Sequence, residues 1–248
     1  GLGEPMHIRY WKWIVQFFWL EPQVLIDYYF GSSFSEGKLR VISWQTRGPV
    51  MDLVVQRLPQ TVWVVGMSYI VGVVIALPIG IYSAYKQYSI FDQTGTFISM
   101  IGYSVPPFFS GVLVIVIFSV TLGWFPSIYD TTLVVDSWDN FVLQLKQMIM
   151  PVMVLALQTT AQLRRFMRAS MLDNLNQDYV RTARAKGLGE SVVVMVHVLR
   201  NSMIPVVTVI ALGVPSVFGG AIITEQVFRV NGIGQLLITA IQATDLPL

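Results

Sequence analysis

Cysteine is absent from this 248-residue chain. That excludes a disulfide framework and any thiolate metal site or nucleophile, and it leaves the redox compartment open. Charge is scarce too: 12% of residues are Asp, Glu, Lys or Arg, against roughly a quarter in a soluble domain. The net charge of +2 is too small to argue for nucleic acid. The only histidines are His7 and His197, with no HExxH pair and no supported Ser–His arrangement, so no catalytic residue is assigned. No GxxxxGK[ST] phosphate loop occurs either.

Apolar residues are abundant, at 54% of the chain with a mean hydropathy of +0.62, and they come in blocks. Between consecutive ionisable residues there are 28 uncharged positions from Arg57 to Lys86 and 37 from Asp92 to Asp130. There are 17 from Lys146 to Arg164 and 24 from Arg200 to Glu225. A hydrocarbon core of about 30 Å needs roughly 20 helical residues, about 17 at the least. The expectation is an all-α polytopic membrane bundle with spans near 61–85, 95–122, 148–167 and 201–224. A loop over 168–200 joins the last two spans, and the segment 225–248 follows them.

Arg164, Arg165, Arg168, Arg181, Arg184, Lys186 and Arg200 cluster between the third and fourth spans, whereas the second-to-third loop holds only Lys146. The positive-inside rule puts that basic stretch in the cytoplasm, together with the short loop from Lys86 to Asp92. Residues 1–60 and 225–248 are then outside. Residues 1–60 lack the basic start, clean apolar stretch and small-residue cleavage site of a signal peptide. Their aromatic run Tyr10 to Leu20 is too short to span. It suits either the headgroup layer or a helix packed on the outer mouth of the bundle. Gly31 to Gly48 reads as loop, and the opening Gly1-Leu2-Gly3, without a Met, is expected of a fragment.

Proline punctuates the spans at Pro78, Pro106-Pro107, Pro151, Pro205 and Pro215. The run Gly102-Tyr103-Ser104-Val105-Pro106-Pro107 is the most disruptive, and a bend is expected near the cytoplasmic half of the second span. Pro78, Tyr103, Ser104, Pro106, Pro107 and Pro215 are candidates for a pathway lining or hinge, with packing irregularity as the alternative. Gly72, Gly80, Gly111, Gly213, Gly219 and Gly220 permit close helix contact. No span has a charge at its centre by this division, which argues against an ion-coupled transporter or a channel. Gln158, Thr159, Thr160 and Gln162 form the one polar cluster, read as interhelical hydrogen bonding.

Asp178 to Pro205 is read as two helices separated at Gly187-Leu188-Gly189, where glycine permits the left-handed geometry that ends a helix. Asp173 and Asp178 precede the basic residues, as the helix dipole favours. Ala183 and Ala185 would let a partner backbone come close, and the apolar Val192 to Leu199 must be buried. A docking element and a loop drawn to anionic lipid fit this composition equally. His197, alone in an apolar run, reads as a hydrogen-bonded packing residue.

The same stretch resembles the cytoplasmic loop of binding-protein-dependent ABC import permeases of the dipeptide/oligopeptide/nickel family. Their EAA-type motif has a Gly four residues after its last Ala, a His ten residues later, then an Arg-Asn pair and a Pro. The match is carried by Tyr179, Ala183, Arg184, Ala185, Lys186, Gly187, His197, Arg200, Asn201 and Pro205. Arg181 and Thr182 stand where the general motif has its Glu and first Ala. Further matches follow in order: Trp44 to Thr61, Leu77 to Gly80, Ser104 to Phe108, Gly123 to Pro126, Glu225 to Phe228, Gly232 to Gly234 and Asp245 to Leu248.

The resemblance implies residues 61–248 as a transmembrane permease domain holding four of six helices, in a prokaryotic plasma membrane. It implies a second homologous permease subunit, two ATP-binding subunits that carry the ATP and Mg, and an extracytoplasmic solute-binding protein that touches residues 1–60, 123–147 and 225–248. Surrounding lipid is a further partner. The chain itself is then a non-catalytic translocation subunit with no cofactor and no metal. The loop from Asp178 through Arg181 and Thr182 to Gly187 would couple it to the ATPases. Peptides are the favoured substrate on family frequency, with nickel and oligosaccharides as alternatives.

Overall fold

The computed structural model describes residues 5–247. Residues 1–4, which include the Gly1-Leu2-Gly3 start, and Leu248, which closes the Asp245–Leu248 match, lie outside the described residues. Regular structure among the described residues is helical, apart from one isolated antiparallel bridge between Ile42 and Pro49. Helix α1 covers residues 6–30, with one widened turn at Gln16–Leu20. Then come α2 (Val50–Tyr85), α3 (Ile90–Ser104), α4 (Pro107–Thr121), α5 (Trp138–Leu175), α6 (Asp178–Ala185), α7 (Glu190–Phe218), α8 (Ile222–Phe228) and α9 (Ile233–Gln242).

Helices α2, α5 and α7 are each long and apolar enough to cross a bilayer, and α3 with α4 makes up to a fourth, broken span. The expected boundaries are corrected in three places. The 38 residues of α5 reach about 57 Å at 1.5 Å per residue, well past the 148–167 expected. Lys146 and Arg164 ended the uncharged gap but do not end the helix. Helix α7 starts at Glu190, so the expected 168–200 loop narrows to a connection around the short α6. Aromatic Tyr10 to Leu20 belongs to the longer α1, whose Trp11, Phe18 and Trp19 are exposed.

The bend in the second span is 105°. It lies midway between two arms of equal length and not near one end, because the Ser89 hydroxyl caps α3 at the Asp92 N–H and starts the helix at Ile90. The Pro-Pro pair explains why the chain breaks here. A residue before proline is pushed out of the helical region, and both Val105 (ψ 125°) and Pro106 (ψ 141°) are extended. Pro107 can then open α4, where its missing N–H costs nothing. Single prolines do less: α2 runs unbroken through Pro59 and Pro78, and α7 through Pro205 and Pro215.

The bundle is built on the contact of α2 with α5. A Cβ on Gly72 would sit 2.7 Å from the Thr159 Cβ, and one on Gly80 would sit 2.7 Å from the Met167 Cβ and 3.0 Å from the Arg164 carbonyl oxygen. Only glycine lets the two backbones approach this far. At one end Met167 and Met171 of α5 are buried with Ala84, Val180, Val193 and Val198. At the other, Met148, Met150 and Val154 pack with Val64, Tyr129 and Phe228. Large apolar side chains such as Ile70, Phe97 and Leu212 face outward, as a lipid-contacting surface does.

Gly72→Val overpacks the α2–α5 contact and is expected to destabilise the protein by about 1–3 kcal/mol, read as a lower melting temperature in detergent. Gly189→Ala, where a Cβ meets nothing within 4 Å, should stay within about 0.5 kcal/mol. Equal shifts would contradict this packing.

Candidate functional site

Helix α6 lies on the arginine-rich end of the bundle. Its eight residues are two-sided: Val180 and Ala183 are buried against Met171, Val193 and Val198, while Arg181, Thr182, Arg184, Ala185 and Lys186 are exposed. The helix therefore rests on α5 and the start of α7 together. Tyr179 donates its hydroxyl hydrogen to Asn174 Oδ1 at 2.8 Å, tying α6 to the end of α5. Gly187 closes the helix in the left-handed region (φ +78°), with its N–H on the Arg184 carbonyl and the Leu188 N–H on that of Ala183. Gly189, at φ −62°, does not share that conformation.

Across this elbow Arg184 makes a forked ion pair with Glu190, Nη2 to Oε1 at 2.7 Å and Nε to Oε2 at 3.0 Å. The Asp178–Arg181 pair, 3.6 Å apart and open to solvent, contributes about 1 kcal/mol at most. Tyr179, Thr182, Ala183, Lys186 and His197 line one hollow of about 320 Å³ with Leu188. Arg181, Arg184, Ala185 and Gly187 stand outside it, as do Asp178, Arg200, Asn201 and Pro205. Asn201 donates instead to the His197 carbonyl at 3.2 Å.

Of the pathway candidates, Tyr103 and Ser104 line a cleft of about 430 Å³ between α3 and α5, together with Ser99, Gln162, Arg164 and Arg165. The Arg165 guanidinium lies 5.8 Å over the Tyr103 ring. Pro106 and Pro107 form the bend, while Pro78 and Pro215 are exposed on α2 and α7, away from this cleft. The expected polar cluster divides. Thr160 bonds across to the Gly72 carbonyl at 3.3 Å, but Gln158 and Gln162 face a second cavity with Ser68, Tyr69 and Ser216.

Two buried polar centres escaped the sequence reading. Arg164, 3% exposed, is buried within α5 although it lies away from the centre of that helix. Its Nη2 donates to Ser83 Oγ at 3.0 Å and to Asp92 Oδ1 at 3.3 Å. The Asp92 carboxylate also accepts both arms of Arg168, each at 2.7 Å. Asp92, expected at the end of the loop from Lys86, is buried in the first turn of α3. The signal available was the four-residue spacing of Arg164 and Arg168, which puts both on one helix face.

At the opposite end Glu225 is 1% exposed. It accepts from Thr61 Oγ1 at 2.8 Å and from the Gly234 N–H at 2.7 Å. A Cβ at Gly232 would come within 2.5 Å of the Glu225 carboxylate, which explains the glycine. Asp245 likewise accepts from the Ser43 hydroxyl and from the Trp44 N–H at 2.9 Å. Short matches far apart in the chain, Trp44 to Thr61, Glu225 to Gly234 and Asp245, are thus partners in space. Among the described residues no group of His, Cys, Asp and Glu is arranged to hold a metal.

Asp92→Asn leaves Arg164 buried against a neutral group and is expected to cost about 3–5 kcal/mol by denaturant titration in detergent. Exposed Asp178→Asn should change little. The hydrogen bonds from Ser43 and the 44–45 backbone hold the Asp245 carboxyl below its ordinary value of 3.8. A depressed value means the contribution is complete at neutral pH and is lost as the pH falls below about 3.8. The difference in melting temperature between the parent and Asp245→Asn should therefore be flat near neutrality and shrink in acid. A difference that grew in acid would contradict this.

Residues 76–248 match the model of the family described as "Binding-protein-dependent transport system inner membrane component". The oligopeptide transport system permease protein AppB of Bacillus subtilis is 37% identical over 247 residues, covering 100% of this chain and 72% of that protein. The glutathione transport system permease protein GsiC of Escherichia coli K12 is 35% identical, covering 100% and 71%. In fold, the crystal structure of an amino acid ABC transporter with histidines aligns with a TM-score of 0.57 at 13% identity, over 79% of this chain and 82% of that one. The chain belongs to the family of binding-protein-dependent transport system inner membrane components.

Proposed function

We propose that this chain is the membrane-spanning permease subunit of an ATP-driven importer of short peptides. In this reading the arginine-rich end faces the cytoplasm of a prokaryotic cell, and α6 docks in a cleft on a separate ATPase subunit. A second homologous permease completes the solute pathway, two ATPases supply the energy, and an extracytoplasmic binding protein delivers the substrate to the end formed by α8, α9 and the 43–45 segment. ATP and Mg belong to the ATPases, since this sequence has no phosphate loop. The names of the two relatives, oligopeptide and glutathione transport, favour peptides over nickel or oligosaccharides.

One observation carries the reading: α6 buries one face on two membrane helices and offers an exposed, basic second face. A displacement of α6 must move the cytoplasmic ends of α5 and α7 with it, because Val180 and Ala183 are packed in their shared core. Coupling requires such a rigid element, biased between two arrangements. The exposed loops of a passive membrane protein need no buried anchor of this kind.

Gly187 is the residue to test. A side chain there meets no neighbouring atom, but the left-handed backbone is strained for any residue with a Cβ, by about 1–2 kcal/mol. Gly187→Val should lower substrate uptake by the reconstituted complex by about tenfold, since 1.4 kcal/mol is a factor of ten. It should also weaken the stimulation of ATPase activity by the loaded binding protein. Gly187→Asn, which tolerates this conformation, should retain most of both. Parent-like coupling in the valine variant would contradict the assignment of α6.

A further inference from the structure

Arg165 stands out among the cations of α5. Arg164 and Arg168 share Asp92, and that carboxylate is fully engaged, its Oδ2 also accepting from the Tyr88 N–H at 3.1 Å. Arg165 has no carboxylate partner among the described residues, only the face of Tyr103. Three guanidinium groups therefore border the cleft against one anion. Among the hydroxyls on its α3 wall are those of Ser99, Tyr103 and Ser104.

Position matters as much as charge. Arg165 lies ten residues before the end of α5, about 15 Å along the helix, with its guanidinium over the ring of Tyr103, the last residue but one of α3 beside the bend. A guanidinium exposed on a membrane-spanning helix is disfavoured against hydrocarbon and belongs on a water-filled or protein-facing surface. The face continues outward in polar form. Gln162 borders both this cleft and the cavity that holds Gln158, Ser68 and Tyr69. Positions 158, 162 and 165 follow helical spacing and form one strip along α5.

We propose that this cleft is an anion subsite of the solute pathway, in which Arg165 binds the C-terminal carboxylate of the transported peptide. The inference rests on the peptide-import reading above. A guanidinium presents a fork of N–H donors that matches a carboxylate, and the terminal carboxylate is common to all unmodified peptides whatever their side chains. Arg164 and Arg168 are already engaged, so they contribute positive field and hold the α3 wall in place. The open position of Arg165 suits a station that must release its ligand as well as capture it.

The test compares a peptide with its C-terminal amide, using the assembled transporter in liposomes with its ATPases and binding protein. Each variant is compared with the parent on the same peptide, so any preference of the binding protein cancels. Arg165→Gln should reduce uptake of the free acid by about tenfold and uptake of the amide less than twofold. Arg165→Lys, which keeps the charge but not the fork, should fall between parent and Gln on the acid alone. Equal losses on acid and amide would overturn the proposal. So would an Arg165→Gln defect that disappears when anionic lipid is left out of the liposomes, since the cation would then serve a lipid phosphate. A parent complex that imports neither acid nor amide would refute the peptide reading itself, and this subsite with it.

Discussion

The contact of α2 with α5 is the constraint from which the rest of the structure follows. Gly72 and Gly80 bring the two backbones close enough that Thr159, Met167 and the Arg164 carbonyl fill the space a side chain would take. That contact fixes how α5 is rotated. Rotation decides that Met167 and Met171 face the core at the arginine-rich end, that Arg164 points at Ser83 and Asp92, and that Gln162 and Arg165 turn toward the open cleft. A small change in the angle of α5 would alter all three at once. In a membrane no hydrophobic force pulls helices together, so close packing and buried polar contacts must do that work.

Two polar centres tie the ends of this frame. Near the arginine-rich end Asp92 joins α3 to α5 through two arginines. At the other end Glu225 joins α2 to the first turn of α9 through Thr61 and the Gly234 N–H. Each carboxylate is buried and well supplied with donors, which is the condition under which a buried charge is tolerable. The broken span α3–α4 is held to α5 at Asp92, approaches Val227 of α8 at Gly111 and is bent in the middle. The bundle is thus tied at both ends, with its openings along α5.

The spans were legible in the sequence because uncharged runs of that length have few other uses. Their limits were not. A charge ends a hydropathy run, but a helix can carry Arg164 inward if Asp92 and Ser83 are there to meet it, and those partners lie more than 70 residues away in sequence. Pro106 and Pro107 announced the bend through local backbone sterics, so it could be read without the fold. The α6 helix was legible for the same reason, as a short helix closed by glycine, but that Ala183 is buried while Ala185 is exposed depends on the fold. The motifs at the opposite end appeared only as a string of short matches, because Glu225 and Asp245 bond backbone N–H groups and single hydroxyls distant in sequence, which leave little side-chain signature.

The central claim is that α6 meets an ATPase subunit. The chain contains no cysteine, so a single introduced thiol can be labelled without further changes. Ala185→Cys places a photoreactive thiol-linked probe on the exposed face of α6, and Ser32→Cys places the same probe beyond α1, at the far end of the chain's fold. In the assembled, transport-active complex, the account predicts an adduct between position 185 and the ATPase, with a yield that changes on ATP binding, and no such adduct from position 32. An active complex in which position 185 never labels the ATPase would contradict it.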